Sequence, residues 1–384
     1  GLGAAAAWLA RDERTPPAAS IDVAGALGGD AAGYARALAP RPFAFPADHG
    51  PHPGFRTEWW YYTGNLSTAD GRHVGYQLTF FRIALTPAPV APASSAWRAR
   101  DVYMAHFAVT DTAGGRFHPQ TRFARGALGL AGAQAAPFHV WIEDWSAEAA
   151  DDGAAATPPM RLRAASDAVA IDLVLESPRP AVLQGDRGLS RKGPEPGNAS
   201  YYYSLTRMPT RGRVRIGGAE LAVGGLSWMD REWSTSALGE AVGWDWFALH
   251  LADGRDLMFY RLRRADGSAD ELSAGSVVEA GGTVRPLARD DVRIDVLDWW
   301  ASPRGGARYP GRWRLRAPAH HLDVEITPVL ADQEHREPVR YWEGAVRVRA
   351  WPAGPAAAAA APAADPAGQG YVELVGYADR VPGR

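Results

Sequence analysis

Cysteine is absent from the 384-residue chain. That one absence removes disulfides, thiolate catalysis and Cys-type zinc or iron–sulfur sites together. It leaves the compartment open, because cysteine-free chains occur inside and outside cells. An excess of one charge is lacking too: 41 Lys and Arg stand against 43 Asp and Glu, with no basic run of the kind that tracks a phosphate backbone. Nucleic acid is therefore not expected as a partner. No hydrophobic stretch approaches the roughly 20 apolar residues needed to span a bilayer, so the mature chain is not expected to be transmembrane. A Gly-x-Ser-x-Gly motif is missing, which leaves a nucleophilic hydrolase without a visible nucleophile. His49 and His52, in Asp48-His49-Gly50-Pro51-His52-Pro53, have metal-like spacing. No acid motif completes a ligand set around them, and Pro-rich loops often carry solvated histidines. Neither a metal nor a cofactor is expected.

Tryptophan is what the chain has in excess. Many of its 15 tryptophans lie in or beside segments that set carboxylates against indoles. These are Arg56-Thr57-Glu58-Trp59-Trp60-Tyr61-Tyr62, Trp228-Met229-Asp230-Arg231-Glu232-Trp233 and Gly243-Trp244-Asp245-Trp246-Phe247. A large aromatic favours burial and an ionised carboxylate resists it. Their repeated juxtaposition implies buried acids held by specific partners, and an aromatic-lined pocket with acids at its wall.

Length alone makes two domains the default. Residues 1–40 are Ala/Gly/Pro-rich and read as an N-terminal arm, with a short helix expected over Ala31–Ala39. Gly1 to Ala10 reads as the remnant of an export signal or of a trimmed end, which favours an exported protein and leaves room for an N-terminal membrane tether. From Phe43 onward, short aromatic and β-branched runs punctuated by Asp-Gly, Gly-Gly and Pro give an all-β signature. Val74, Tyr76, Leu78 and Phe80 alternate with His73, Gly75, Gln77 and Thr79, which is the period of a strand. Ala69-Asp70-Gly71-Arg72 returns 183 residues later as Ala252-Asp253-Gly254-Arg255, each after an aromatic-led strand. Two related β domains in tandem follow, at 41–232 and 233–384. Closed barrels are preferred over flat sandwiches because they remove exposed edges and leave an interior cavity. Ala147–Pro159 and Pro352–Gly370 read as insertions without chemistry.

In an extended segment Asp230 and Glu232 point to the same side. Two close carboxylates among indoles raise one another's pKa, which favours keeping one protonated as a proton donor. Arg231 could instead pair with either acid. Asp245, between Trp244 and Trp246, could line a ligand site or be an arginine partner closing a barrel end. Glu58 carries the same two readings. His106 and His250 sit in apolar runs, where a core histidine is the ordinary outcome. The Gly-rich basic loop Gln184–Gly193, ahead of Tyr201-Tyr202-Tyr203, is either a long hairpin connection or a cavity mouth.

Several ordered motifs carry a resemblance. Asp48-His49-Gly50 through Glu58-Trp59-Trp60-Tyr61, Gln77 to Arg82, Leu189-Ser190-Arg191-Lys192-Gly193, Gly197 to Tyr203, Asp230-Arg231-Glu232-Trp233, Gly243 to Phe247 and Tyr341-Trp342-Glu343-Gly344 resemble the AttH-like branch of the carotenoid 1,2-hydratase (hydroxyneurosporene synthase) superfamily. The resemblance implies two lipocalin-like β-barrels side by side, periplasmic or secreted location, and a small apolar ligand of isoprenoid or lipid type. It also implies either cofactor-free acid-catalysed hydration, a hydro-lyase activity, or the activity of a secreted hydrolase, the label many relatives carry. The alternative is a non-enzymatic periplasmic lipid carrier serving ABC transporter components. A family His-x-Trp segment matches Tyr201-x-Tyr203 here, and Tyr-x-Asp matches Trp228-x-Asp230, so the acid is kept while the histidine has become tyrosine. Asp230, Glu232 and Tyr201 are accordingly the candidate catalytic residues. Tyr203, Trp228, Trp233, Asp245, Trp246, Glu58, Trp60 and Lys192 are the candidate ligand-binding residues.

Overall fold

A computed structural model of the chain describes residues 31–87, 98–151, 155–235, 242–336, 338–351 and 367–378. The described residues form an all-β molecule of two lipocalin-like barrels, with 3-10 turns as its only helical pieces. No helix among them is long and apolar enough to cross a membrane. Residues 31–39 make turns and extended chain instead of the expected helix. Of the two expected insertions, 152–154 and 352–366 lie outside the described residues, while Ala147 and Gly368 belong to strands.

The two sheets share one topology. In the first, strands Thr57–Ser67, His73–Ala84, Asp101–Asp111 and Arg116–Arg125 form a meander. Thr57–Ser67 then pairs on its other side with the sheet's last strand, Ala219–Ser234, which leads back through Ala199–Ile216 to Ala131–Ala135. In the second, Gly243–Leu251, Asp256–Arg263, Ala274–Val278 and Val284–Ala288 form the meander. Gly243–Leu251 pairs with the last strand, Gly368–Leu374, which leads back through Tyr341–Ala350 to Arg293–Ala301. The repeated Asp-Gly turns sit at the same place in both, and Gly71 (φ 85°) and Gly254 (φ 88°) take the left-handed backbone that glycine adopts without steric cost.

Alternation along the strands builds each core. Trp60, Tyr62, Tyr76, Leu78, Phe80, Tyr203 and Met229 fill the first barrel, and Phe247, Leu249, Phe259, Trp313, Val346 and Val372 fill the second. The interior of the first barrel is plugged where a cavity was expected. Phe43 and Phe45 pack on Trp233 and Tyr203, with ring centroids 5.6 and 5.0 Å apart. His49 is fully buried, bonded to the Tyr203 hydroxyl (2.6 Å) and to Ala156 O (3.0 Å). His52 stacks on Trp233 at 3.6 Å. These histidines are packing elements, not solvated loop residues, because the Pro-rich segment folds into the barrel end.

The outward faces of the long strands meet between the barrels. Gly75 lies on this face, where a Cβ would come 2.8 Å from both Ala345 Cβ and the Tyr371 hydroxyl. A third core forms there from Tyr61, Tyr202 and Trp228 of the first barrel with Trp246, Met258, Tyr260 and Tyr371 of the second.

Candidate functional site

Strand period decides what reaches this junction. Met229, Arg231 and Trp233 point into the first barrel, so Trp228, Asp230 and Glu232 point out of it toward the second. Strand register then sets the neighbours. Ser204 lies opposite Asp230, Tyr202 lies opposite Glu232, and Tyr61 flanks Asp230 from the other side.

Asp230 is buried and its carboxylate is met by three neutral donors. Oδ1 accepts from Ser204 Oγ (2.6 Å) and Trp228 Nε1 (2.7 Å), and Oδ2 accepts from the Tyr202 hydroxyl. Among the described residues it makes no ion pair. Burial pushes its pKa up to about 7, against the three hydrogen bonds and with help from the negative charge of Glu232. Glu232 is held differently. It accepts from the Ser200 hydroxyl and pairs with Lys192 Nζ at 3.2 Å. Burial opposes the charge on Lys192, but Glu232 and Tyr260 outweigh it and raise its pKa. The ammonium also sits 4.1 Å from the centroid of the Tyr260 ring, a cation–π contact.

The second barrel supplies the opposite wall. Trp246 Nε1 donates to the Tyr202 hydroxyl oxygen at 3.3 Å, and its ring lies 5.1 Å from Tyr61, edge to face. Glu373, opposite Trp246 in register, is half-buried and accepts from Trp244 Nε1 at 2.7 Å. Burial pushes its carboxyl up to about 7, opposed by the Trp244 bond and aided by the negative charges of Asp230 and Glu232. Glu343 accepts from the Tyr61 hydroxyl at 2.6 Å, and burial holds it well above the ordinary carboxylate range. Deeper along the same junction, His106 Nδ1 meets the Tyr341 hydroxyl at 2.6 Å and His335 stacks on the Tyr341 ring at 4.6 Å. Burial lowers the pKa of His106 to about 3, so it is neutral. His250, bonded to Thr206 O at 2.6 Å, is likewise lowered chiefly by burial.

Of the residues singled out in the sequence, Asp230, Glu232, Trp228, Trp246 and Lys192 converge at the junction. The others do not. Tyr201 and Tyr203 alternate away from Tyr202 into the first barrel, where the Tyr201 hydroxyl donates to Ala39 O at 2.8 Å. Trp60 and Trp233 face the same interior, next to Arg231. Glu58 is clamped there by Arg82 and Arg231, which is the arginine-partner reading and not the ligand-site one. Burial would raise its pKa, but the two guanidinium groups win and hold it well below the carboxylate range. Asp245 faces the second barrel, clamped by Arg261, Arg263 (3.0 Å) and the Tyr377 hydroxyl (2.9 Å). It is the arginine partner at a barrel end, and not a wall of the junction.

Tyr61, Tyr202, Ser204, Tyr260, Glu343 and Glu373 also reach the junction, although the motifs do not single them out. Glu343 and Glu373 had a signal: each is an acid set into an apolar alternating run, Tyr341–Ala350 and Tyr371–Leu374. No group of three or more His, Cys, Asp or Glu able to hold a metal occurs among the described residues.

The comparisons with known proteins agree with this architecture. The AttH-like family model matches residues 36–377, and the chain belongs to the AttH-like family. In solved structures it is similar to an AttH candidate from Nitrosomonas europaea, at 34% identity over 88% of this chain and 100% of that one, with a TM-score of 0.74. It shares its fold with kievitone hydratase from Nectria haematococca at 16% identity, covering 89% of this chain and 95% of that one, with a TM-score of 0.62. A comparison with the curated proteins returns no match.

Proposed function

We propose that the junction is the active site of a cofactor-free hydro-lyase that adds water across an alkene of an elongated apolar, isoprenoid-like molecule. The supporting observation is Asp230: a carboxyl in an aromatic junction, titrating at about 7, held by hydroxyl and indole donors and not by arginine. A proton donor matched to neutral pH is what alkene protonation requires. The rings of Trp228, Trp246, Tyr61 and Tyr202 surround this carboxyl, and aromatic rings stabilise a carbocation as they do other cations. Kievitone hydratase, on the same fold, carries a hydratase name, which fits this reading. Export to the periplasm or beyond belongs to the same proposal, and service to an ABC transporter belongs to the carrier reading below. Cell fractionation and co-purification check them.

A second reading, a lipid carrier, is favoured by one feature. A cavity of about 540 Å³ opens at the second barrel, lined by Phe259, Val292, Ile294 and Pro318 with charges of both signs, Arg261, Arg289 and Arg293 beside Asp290 and Asp291. Organic extraction of the purified protein identifies any molecule carried.

The enzymatic reading is tested with geranylgeraniol and related isoprenoid alkenes in oxygen-18 water. Label uptake into a tertiary alcohol is expected from the wild type, with a loss of about 100-fold or more in Asp230→Asn, the range for removing a general acid. Equal uptake by the two proteins contradicts the assignment.

A further inference from the structure

A proton donor is half of a hydration site, since water must also be positioned and relieved of a proton. Tyr201, which stands where the family motif has histidine, points into the first barrel and cannot face Asp230 across the junction. The junction offers another group. Glu373 enters from the second barrel's last strand and is half-buried where Asp230 is buried. Among the described residues its one hydrogen-bond partner is Trp244, bound at Oε2. It sits opposite Trp246, whose indole donates to the same Tyr202 hydroxyl that binds Asp230. Glu343, the other acid of this wall, is engaged by Tyr61 and buried, so it is less suited to meet water.

Resting on the hydro-lyase reading, we infer that Glu373 is a second catalytic residue, the carboxylate that positions and deprotonates the attacking water, so that acid and base come from different barrels. The step balances. The Asp230 carboxyl gives its proton to the less substituted alkene carbon, the π bond breaks as the C–H bond forms, and the positive charge falls on the tertiary carbon. Water oxygen forms the C–O bond to that carbon, and its surplus proton passes to the Glu373 carboxylate. Moving that proton back to Asp230 resets the site, with one water added and no other reactant. Asp230 and Glu232 both raise the proton affinity of Glu373, which suits it to take a proton from water near neutrality.

Glu373→Gln keeps the shape and an acceptor for Trp244. Oxygen-18 uptake from geranylgeraniol should fall about 100-fold or more, the range for a general base. Deuterium incorporation at the alkene from deuterated water should persist, because Asp230 still protonates. Glu373→Asp should recover part of the uptake. In parallel, the Glu373 carboxyl should titrate lower in Asp230→Asn, since a neighbouring negative charge is gone. Uptake that Glu373→Gln leaves unchanged, while Asp230→Asn abolishes it, overturns this inference alone. Absence of uptake by the wild type contradicts the hydration reading and this inference with it.

Discussion

Each barrel end holds a buried acid, and so does the junction between them, yet the two environments treat the same functional group in opposite ways. At the ends, Glu58 sits between Arg82 and Arg231, and Asp245 between Arg261 and Arg263. Each pair is cross-strand within the repeated hairpin, Glu58 opposite Arg82 and Asp245 opposite Arg261. At the junction, Asp230, Glu343 and Glu373 are met by hydroxyl and indole donors instead. A guanidinium cancels the cost of burying charge, whereas neutral donors offset only part of it. Glu58, between two guanidinium groups, is held ionised, whereas Asp230, met by neutral donors, is placed to exchange a proton.

Removing one partner at a barrel end is expected to have the largest effect. Arg231→Met takes away one of the two guanidinium partners of buried Glu58, leaving Arg82, and should cost up to about 3–5 kcal/mol in urea unfolding. A loss below about 1 kcal/mol erases the contrast.

The pH dependence comes next, and its sign differs between the regions. Asp230 has a folded pKa raised to about 7 from 3.8, so the folded state holds more protons than the unfolded state between those values and stability falls as pH rises through that window. Between pH 8 and pH 5 the wild type should gain about 3 kcal/mol relative to Asp230→Asn, whose curve keeps the contribution of Glu373 and lacks that of Asp230. Asp48, lowered to about 2 by His52, Arg41 and Ala44 despite its burial, behaves in reverse. Its contribution is present above pH 4 and lost as pH falls toward 2. Unfolding midpoints from pH 2 to 8 check both limbs.

Smaller effects sharpen the picture. Trp228→Phe removes one of three donors to the Asp230 carboxylate and should raise its titration midpoint by about one unit. Tyr201→Phe should lower stability by about 1 kcal/mol through the lost bond to Ala39 O, and leave both hydration and the Asp230 titration unchanged. A hydration defect in Tyr201→Phe would return that residue to the site.

The all-β fold was legible because alternation such as Val74, Tyr76, Leu78 and Phe80 is a local property of the chain. The tandem arrangement was legible in the Asp70-Gly71 and Asp253-Gly254 turns. Asp230 and Glu232 sharing a face needed only strand period. What stayed hidden was register and the partner barrel. Ser204 meets Asp230 through a pairing 26 residues apart in sequence, and Tyr61 meets Glu343 across 282 residues. Adjacency to tryptophan misled at Trp233 and Trp60, because consecutive strand residues face opposite sides. The indole that binds Asp230 is two residues away, at Trp228. The same rule put Tyr202, and not its neighbours Tyr201 and Tyr203, in the junction.

The central claim is that Asp230 is a proton donor tuned by burial. Carbon-13 NMR of the aspartate carboxyls, with Asp230→Asn to assign the resonance, reads its ionisation in the intact protein. A midpoint near 7 is predicted. A midpoint at or below 4 would show an ordinary solvated or cation-paired carboxylate, and contradict the account.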